Sequence, residues 1–84
     1  MIKYVLSAHA ETVVKERSIR IEWLERILEE PENTDKDKTD PKLTHALGRI
    51  SEHGNRVLRV VYNPTDDPVT VVTAYFDRTM RNKL

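Results

Sequence analysis

The chain has 84 residues, 14 basic and 14 acidic side chains that balance to zero, 38% hydrophobic residues and no cysteine. Disulfides, thiolate metal sites and cysteine nucleophiles are excluded, and the neutral balance argues against strong, purely electrostatic nucleic-acid binding. The length fits one domain over 1–84, whose thin core buries roughly 60% of the unfolded surface, and no apolar run approaches the roughly 20 residues of a membrane helix.

The neutrality conceals a segregation of charge. Residues 1–28 carry 5 basic and 4 acidic groups, residues 29–41 carry 2 and 6, and residues 42–84 carry 7 and 4. The middle segment is therefore acidic and its flanks are basic, which leaves room for a local cationic site.

In chain order, residues 2–6 (IKYVL) are β-branched and aromatic and predict a first strand. Ala8-His9-Ala10 imitates a signal-peptidase site, but the apolar stretch before it is too short for a signal peptide. A cytoplasmic location is the expectation. Ser7 suits the N-cap of a helix over 8–17, because its hydroxyl can accept from a free amide of the first turn. Within that helix Ala10, Val13 and Val14 recur at helical spacing. A second helix over 20–30 carries the stripe Ile21, Leu24, Ile27 and Leu28, with Trp23 at its edge and Glu22 and Arg26 spaced to pair. Pro31 ends it.

Residues 31–41 hold two prolines and no large apolar side chain, and predict an exposed acidic connection. After Pro41 the period becomes two. Strands are predicted over 43–51, 56–62 and 69–76, joined by turns at His53-Gly54-Asn55 and Asn63–Pro68. A polar basic tail spans 77–84. The expected class is α+β in the order β-α-α-β-β-β, with two N-terminal helices packed on one face of an antiparallel sheet and the other face open.

Several residues are candidates for chemistry. His9 and Arg17 lie eight apart on the first helix, which places them roughly 80° apart around its axis, close enough to border one cleft. An imidazole transfers protons near neutral pH and a guanidinium grips phosphate in two places. In the bland alternative, Arg17 pairs with Glu16 or Glu25. Arg49 shares a strand face with His45 and Leu47, Arg59 with Val57 and Val61, and Thr73 with Val71 and Tyr75. If Arg49, Arg59 and Tyr75 converge on the open face, they make a cationic patch suited to a single-stranded backbone and a stacked base. Otherwise they are solvated arginines, and a one-residue slip of register would decide between the two. His9, His45 and His53 stand on separate elements without zinc spacing, and DKDKTD lacks the glycine and terminal glutamate of a calcium loop. No metal or other cofactor is expected.

The stretch SAHAETVVKERSIRIEWLERILEEPE, followed by NRVLRVVYN and VTVVTAYFDR, resembles the small prokaryotic family called domain of unknown function 4258. The likeness rests on His9-Ala10, Val13-Val14, Glu16-Arg17, Ile19 and Pro31-Glu32 in that order. Ser18 stands where the family usually has glycine, and Arg20 where it usually has a capping serine or threonine. The order of elements is similar to that of RelE-like and BrnT-like toxins, and LGRISEHGNRVLRVVY resembles a BrnT stretch. That likeness implies a metal-independent endoribonuclease toxin, with an antitoxin as partner and RNA or the ribosome as target. His9, Arg17, Arg59 and Tyr75 would be catalytic, with Arg49, Thr73 and Arg78 holding substrate. The competing expectation is a non-catalytic interaction module that acts through homodimerisation or a protein partner.

Overall fold

The computed structural model describes residues 2–80, 83 and 84, so Arg81, counted in the basic tail, lies outside the described residues. Strand β1 (Tyr4–Leu6) leads into helices α1 (Ala8–Glu16) and α2 (Ile21–Glu29). Strands β2 (Asn33–Lys36), β3 (Thr44–Ile50), β4 (Arg56–Asn63) and β5 (Val69–Phe76) follow. The class is α+β, with the helices between the first two strands. Among the described residues, no helix is long and apolar enough to cross a membrane.

Two features of the sheet depart from expectation. The segment 31–41 is exposed but contains strand β2, so the sheet has five strands in the order β1-β5-β4-β3-β2. All four side chains of β2 face solvent, so no apolar alternation announced it. Only its backbone pairing with β3 defines it. The sheet is also mixed, because β1 runs parallel to β5 whereas the other neighbours are antiparallel.

One core cluster joins Ala10 and Val14 of α1, and Trp23, Leu24, Ile27 and Leu28 of α2, to Ala46, Ile50, Leu58, Val60, Val71 and Ala74 of the sheet. Trp23 is buried and Ile21 is 39% exposed, so the apolar stripe of α2 is turned from the predicted one toward the indole. Arg26 makes a two-pronged pair with Glu52 rather than bonding Glu22, at 2.9 and 2.7 Å. Gly48 lets α2 close onto β3, since a Cβ there would stand 2.5 Å from Ile27 Cδ1.

Local sequence sets the helix ends. Ser7 caps α1, its Oγ accepting from the Ala10 amide at 3.0 Å. The chain leaves α1 through Ser18 at φ 54°, a left-handed geometry that glycine adopts without the Cβ penalty. Arg20 precedes α2 without a side-chain capping bond. Its guanidinium lies 5.8 Å from the Trp23 ring centre instead. Ser18→Gly is expected to raise stability by about 1 kcal/mol, because a left-handed L-residue costs about that much. The readout is a higher urea midpoint at unchanged slope. An unchanged or lower midpoint would show that Ser18 bears no such strain.

Candidate functional site

Strand register decides which side chains share the sheet face opposite the core cluster. One cross-strand row runs Asn33, Leu47, Arg59, Tyr75, and the next runs Asp35, His45, Val61, Thr73. Between Val61 and Tyr62 the register shifts: Val61 opposes Thr73 but Tyr62 opposes Val71, which leaves Val72 as an extra residue. This bulge puts Thr73 and Val71 on different faces, contrary to simple alternation. Val71 enters the core cluster, and Thr73 joins the row of His45.

The second face carries a line of hydrogen-bonded charged groups. Arg59 donates through Nε to Asp77 Oδ2 at 2.9 Å, with Nη2 2.8 Å from the same oxygen. Its Nη1 donates to Nδ1 of His45 at 2.8 Å, and Nε2 of His45 lies 2.7 Å from Asp37 Oδ1. A guanidinium has no lone pair to offer, so Nδ1 must accept and Nε2 must carry the hydrogen. The side chains of Arg59, Asp77 and His45 are only 11–13% exposed. Leu47, Val57 and Val61 on the same face are buried. A group so desolvated needs a partner, and no buried side-chain nitrogen or oxygen among the described residues lacks one.

Each carboxylate divides its oxygens between the network and its own backbone. Asp77 Oδ1 accepts from the amide and hydroxyl of Thr79, at 3.0 and 2.6 Å. Asp37 Oδ2 accepts from the amide and hydroxyl of Thr39 and from the Asp40 amide. These bonds favour the charged forms. The Thr79 hydroxyl, with Arg59, holds Asp77 below its ordinary value despite burial. His45, followed by the Asp40 and Thr39 groups, holds Asp37 well below the usual carboxylate range.

An open groove of about 620 Å³ lies over this line, with Tyr75, His45, Arg59 and Asp37 in its walls. Of the residues singled out from sequence, Arg59, Tyr75 and Thr73 do share this face. Arg49 is on it too, but Glu32 holds its guanidinium at 2.7 and 3.1 Å. Arg78 lies at the end of the β4–β5 ladder, in a separate cleft with Arg56. His9 and Arg17 are not brought to the groove. His9 is exposed on α1, in the helical layer across the sheet. Arg17 donates to the Ala74 carbonyl at 2.7 Å, and so pairs with neither Glu16 nor Glu25.

Sequence reasoning gave no role in this site to His45, Asp37 or Asp77. A legible signal was present: Asp37-Lys38-Thr39 and Asp77-Arg78-Thr79 share the pattern Asx-x-Thr, as does Asn63-Pro64-Thr65. In all three the Asx oxygen accepts from the threonine amide and hydroxyl. Among the described residues, no group of three or more His, Cys, Asp or Glu is gathered that could hold a metal ion.

A small α+β domain with a polar network on one sheet face is the class these observations define. Residues 6–76 match the family described as Domain of unknown function (DUF4258), and the chain belongs to it. No curated protein and no solved structure matches the chain significantly.

The lowered carboxyls have a consequence for stability. A carboxyl lowered on folding stabilises the native state fully above its unfolded value, and that contribution is lost as pH falls through the native value. Asp77 has an ordinary value of 3.8. Asp77→Asn is expected to lose about 1–3 kcal/mol at pH 7. Its stability should also fall less steeply than the parent's below about pH 4. Urea unfolding across pH checks both. Parallel pH profiles for the two proteins would remove Asp77 from the account.

Proposed function

We propose that the groove is the working surface of a metal-independent endoribonuclease of the toxin–antitoxin type. The observation that carries this reading is the 2.8 Å contact between an imidazole and a guanidinium, His45 Nδ1 and Arg59 Nη1, in the wall of an open groove beside Tyr75. The resemblance of LGRISEHGNRVLRVVY to BrnT-like toxins supports it. In this reading His45 replaces His9 as the proton-transfer group.

An arriving phosphodiester competes for Arg59, because a guanidinium binds phosphate through two parallel bonds. Its withdrawal from His45 frees the Nδ1 lone pair. Nδ1 then takes the proton of the substrate's 2′-hydroxyl, and the 2′-oxygen attacks the adjacent phosphorus. Arg59 stabilises the extra negative charge of the pentacoordinate state. The 5′-oxygen leaves with a proton returned from the imidazolium, and a 2′,3′-cyclic phosphate remains. Asp37 orients the ring through Nε2. Tyr75 and Thr73 border the nucleotide, and an antitoxin would act by covering the groove.

A second reading, the non-catalytic module, is favoured by β2. It ends the sheet, so among the described residues one edge of its backbone has no strand neighbour, and its four side chains are exposed. Such an edge accepts an added strand from a partner or a second copy.

The test is tightly controlled expression followed by growth and total RNA, with purified protein assayed on ribosome-bound and free RNA in EDTA. Cleavage is expected to fall about 100-fold or more in His45→Ala, in line with the loss of a proton-transfer group, and to persist in His9→Ala. Circular dichroism confirms folding of each variant. Intact RNA with the parent protein in both assays, or full cleavage by His45→Ala, would overturn the reading.

A further inference from the structure

The arginines divide into two groups. Arg17 donates to a carbonyl, Arg20 lies 3.9 Å from Glu22, and Arg26, Arg49 and Arg59 each bond a carboxylate. Among the described residues, only Arg56 and Arg78 have guanidiniums with neither a hydrogen bond nor an ion pair. Both are exposed, and both line one cleft of about 340 Å³ at the end of the β4–β5 ladder.

The two arginines reach the cleft from different segments, Arg56 from the start of β4 and Arg78 from the chain just beyond β5. The ladder pairs Leu58 with Phe76, and the Asp77 amide donates to the Val57 carbonyl at 2.8 Å. Strand β5 ends at Phe76, and the 3-10 turn Arg78–Met80 that follows brings Arg78 to the cleft that Arg56 lines. Two guanidiniums that border one cleft repel each other unless an anion lies between them. The carboxylate in the cleft does not fill that role. Asp77 has one oxygen on Arg59 and the other on Thr79. Val57 and Phe76 line the remaining wall. The Phe76 ring is held 4.9 Å from the His53 ring and 6.2 Å from Trp23, centre to centre. A fixed aromatic ring with two uncommitted guanidiniums suits a ligand that is anionic at one end and planar and apolar at the other.

We infer that this cleft binds a nucleotide, its phosphate held between Arg56 and Arg78 and its nucleoside resting against Phe76. The site makes no use of His45 or Arg59, so it stands whether or not the groove cleaves RNA. The phosphate belongs either to a free nucleotide or to an RNA strand.

The test is an NMR titration of the labelled full chain with AMP, with inorganic phosphate and with a cleavage-resistant 2′-O-methyl RNA hexamer. The Val57, Phe76 and Arg78 amides should shift with AMP and with the hexamer. AMP should bind about fivefold or more tighter than inorganic phosphate, as stacking requires. The Arg56→Gln/Arg78→Gln double variant should weaken AMP about tenfold or more, as loss of charge-assisted bonds to phosphate requires. A hexamer that binds more tightly than AMP names RNA as the source, and its salt slope should fall by about 0.7 in the double variant for one lost phosphate contact. Equal affinity names the free nucleotide. Undisturbed amides, inorganic phosphate that binds as tightly as AMP, or a folded double variant with parental affinity would each overturn the inference.

Discussion

The bond from Arg59 to Asp77 and His45 is the interaction on which the second face depends. A guanidinium that is 13% exposed on a strand must find acceptors, because the water that would satisfy it is mostly gone. It finds one on the chain leaving β5 and one on β3, and His45 passes the line to the loop after β2. Two strands, the loop after β2 and the chain leaving β5 are thereby tied by side chains whose partners lie 8 to 18 positions apart in sequence. Removing one member would leave the others desolvated and unpaired, which is why such networks are high-stakes.

The two ends of that line are built alike. Each is an aspartate with one oxygen satisfied by a turn two residues on, so the other oxygen is aimed with little freedom. Pre-aimed acceptors lower the entropy cost of ordering the long arginine side chain. They also make a rigid wall for the groove. The helical face is different in kind. There Gly48 admits Ile27, and small residues, Ala10, Ala46 and Ala74, allow the layers to approach. One face is closed by packing, and the other is held by directed polar bonds.

This division also explains what each residue set is available to do. His9 belongs to a helix committed to the core, with its imidazole outward and across the sheet from the network. Arg17 is consumed as a link between α1 and β5. Arg49 is consumed by Glu32. Arg56 and Arg78 are left without such a duty, and the turn after β5 brings Arg78 to the cleft that Arg56 lines.

The sequence by itself determined the two helices, the Ser7 cap, the turns at His53–Asn55 and Asn63–Pro68, and the three strands of the meander. These follow from local periodicity, capping chemistry and turn residues, which act over a few positions. The weak points at Ser18 and Arg20 were legible only by comparison with the family pattern, which has glycine at the one and a capping serine or threonine at the other. Tertiary structure alone decided that Asn33–Lys36 forms an edge strand, because backbone pairing with β3 needs no apolar pattern. It decided that β1 pairs with β5 from across the whole chain. It decided, through one extra residue at Val72, that Val71 turns inward while Thr73 joins His45. Register likewise decided that His45 meets Arg59 on the face away from the core cluster, since a shift of one residue moves a side chain to the opposite face.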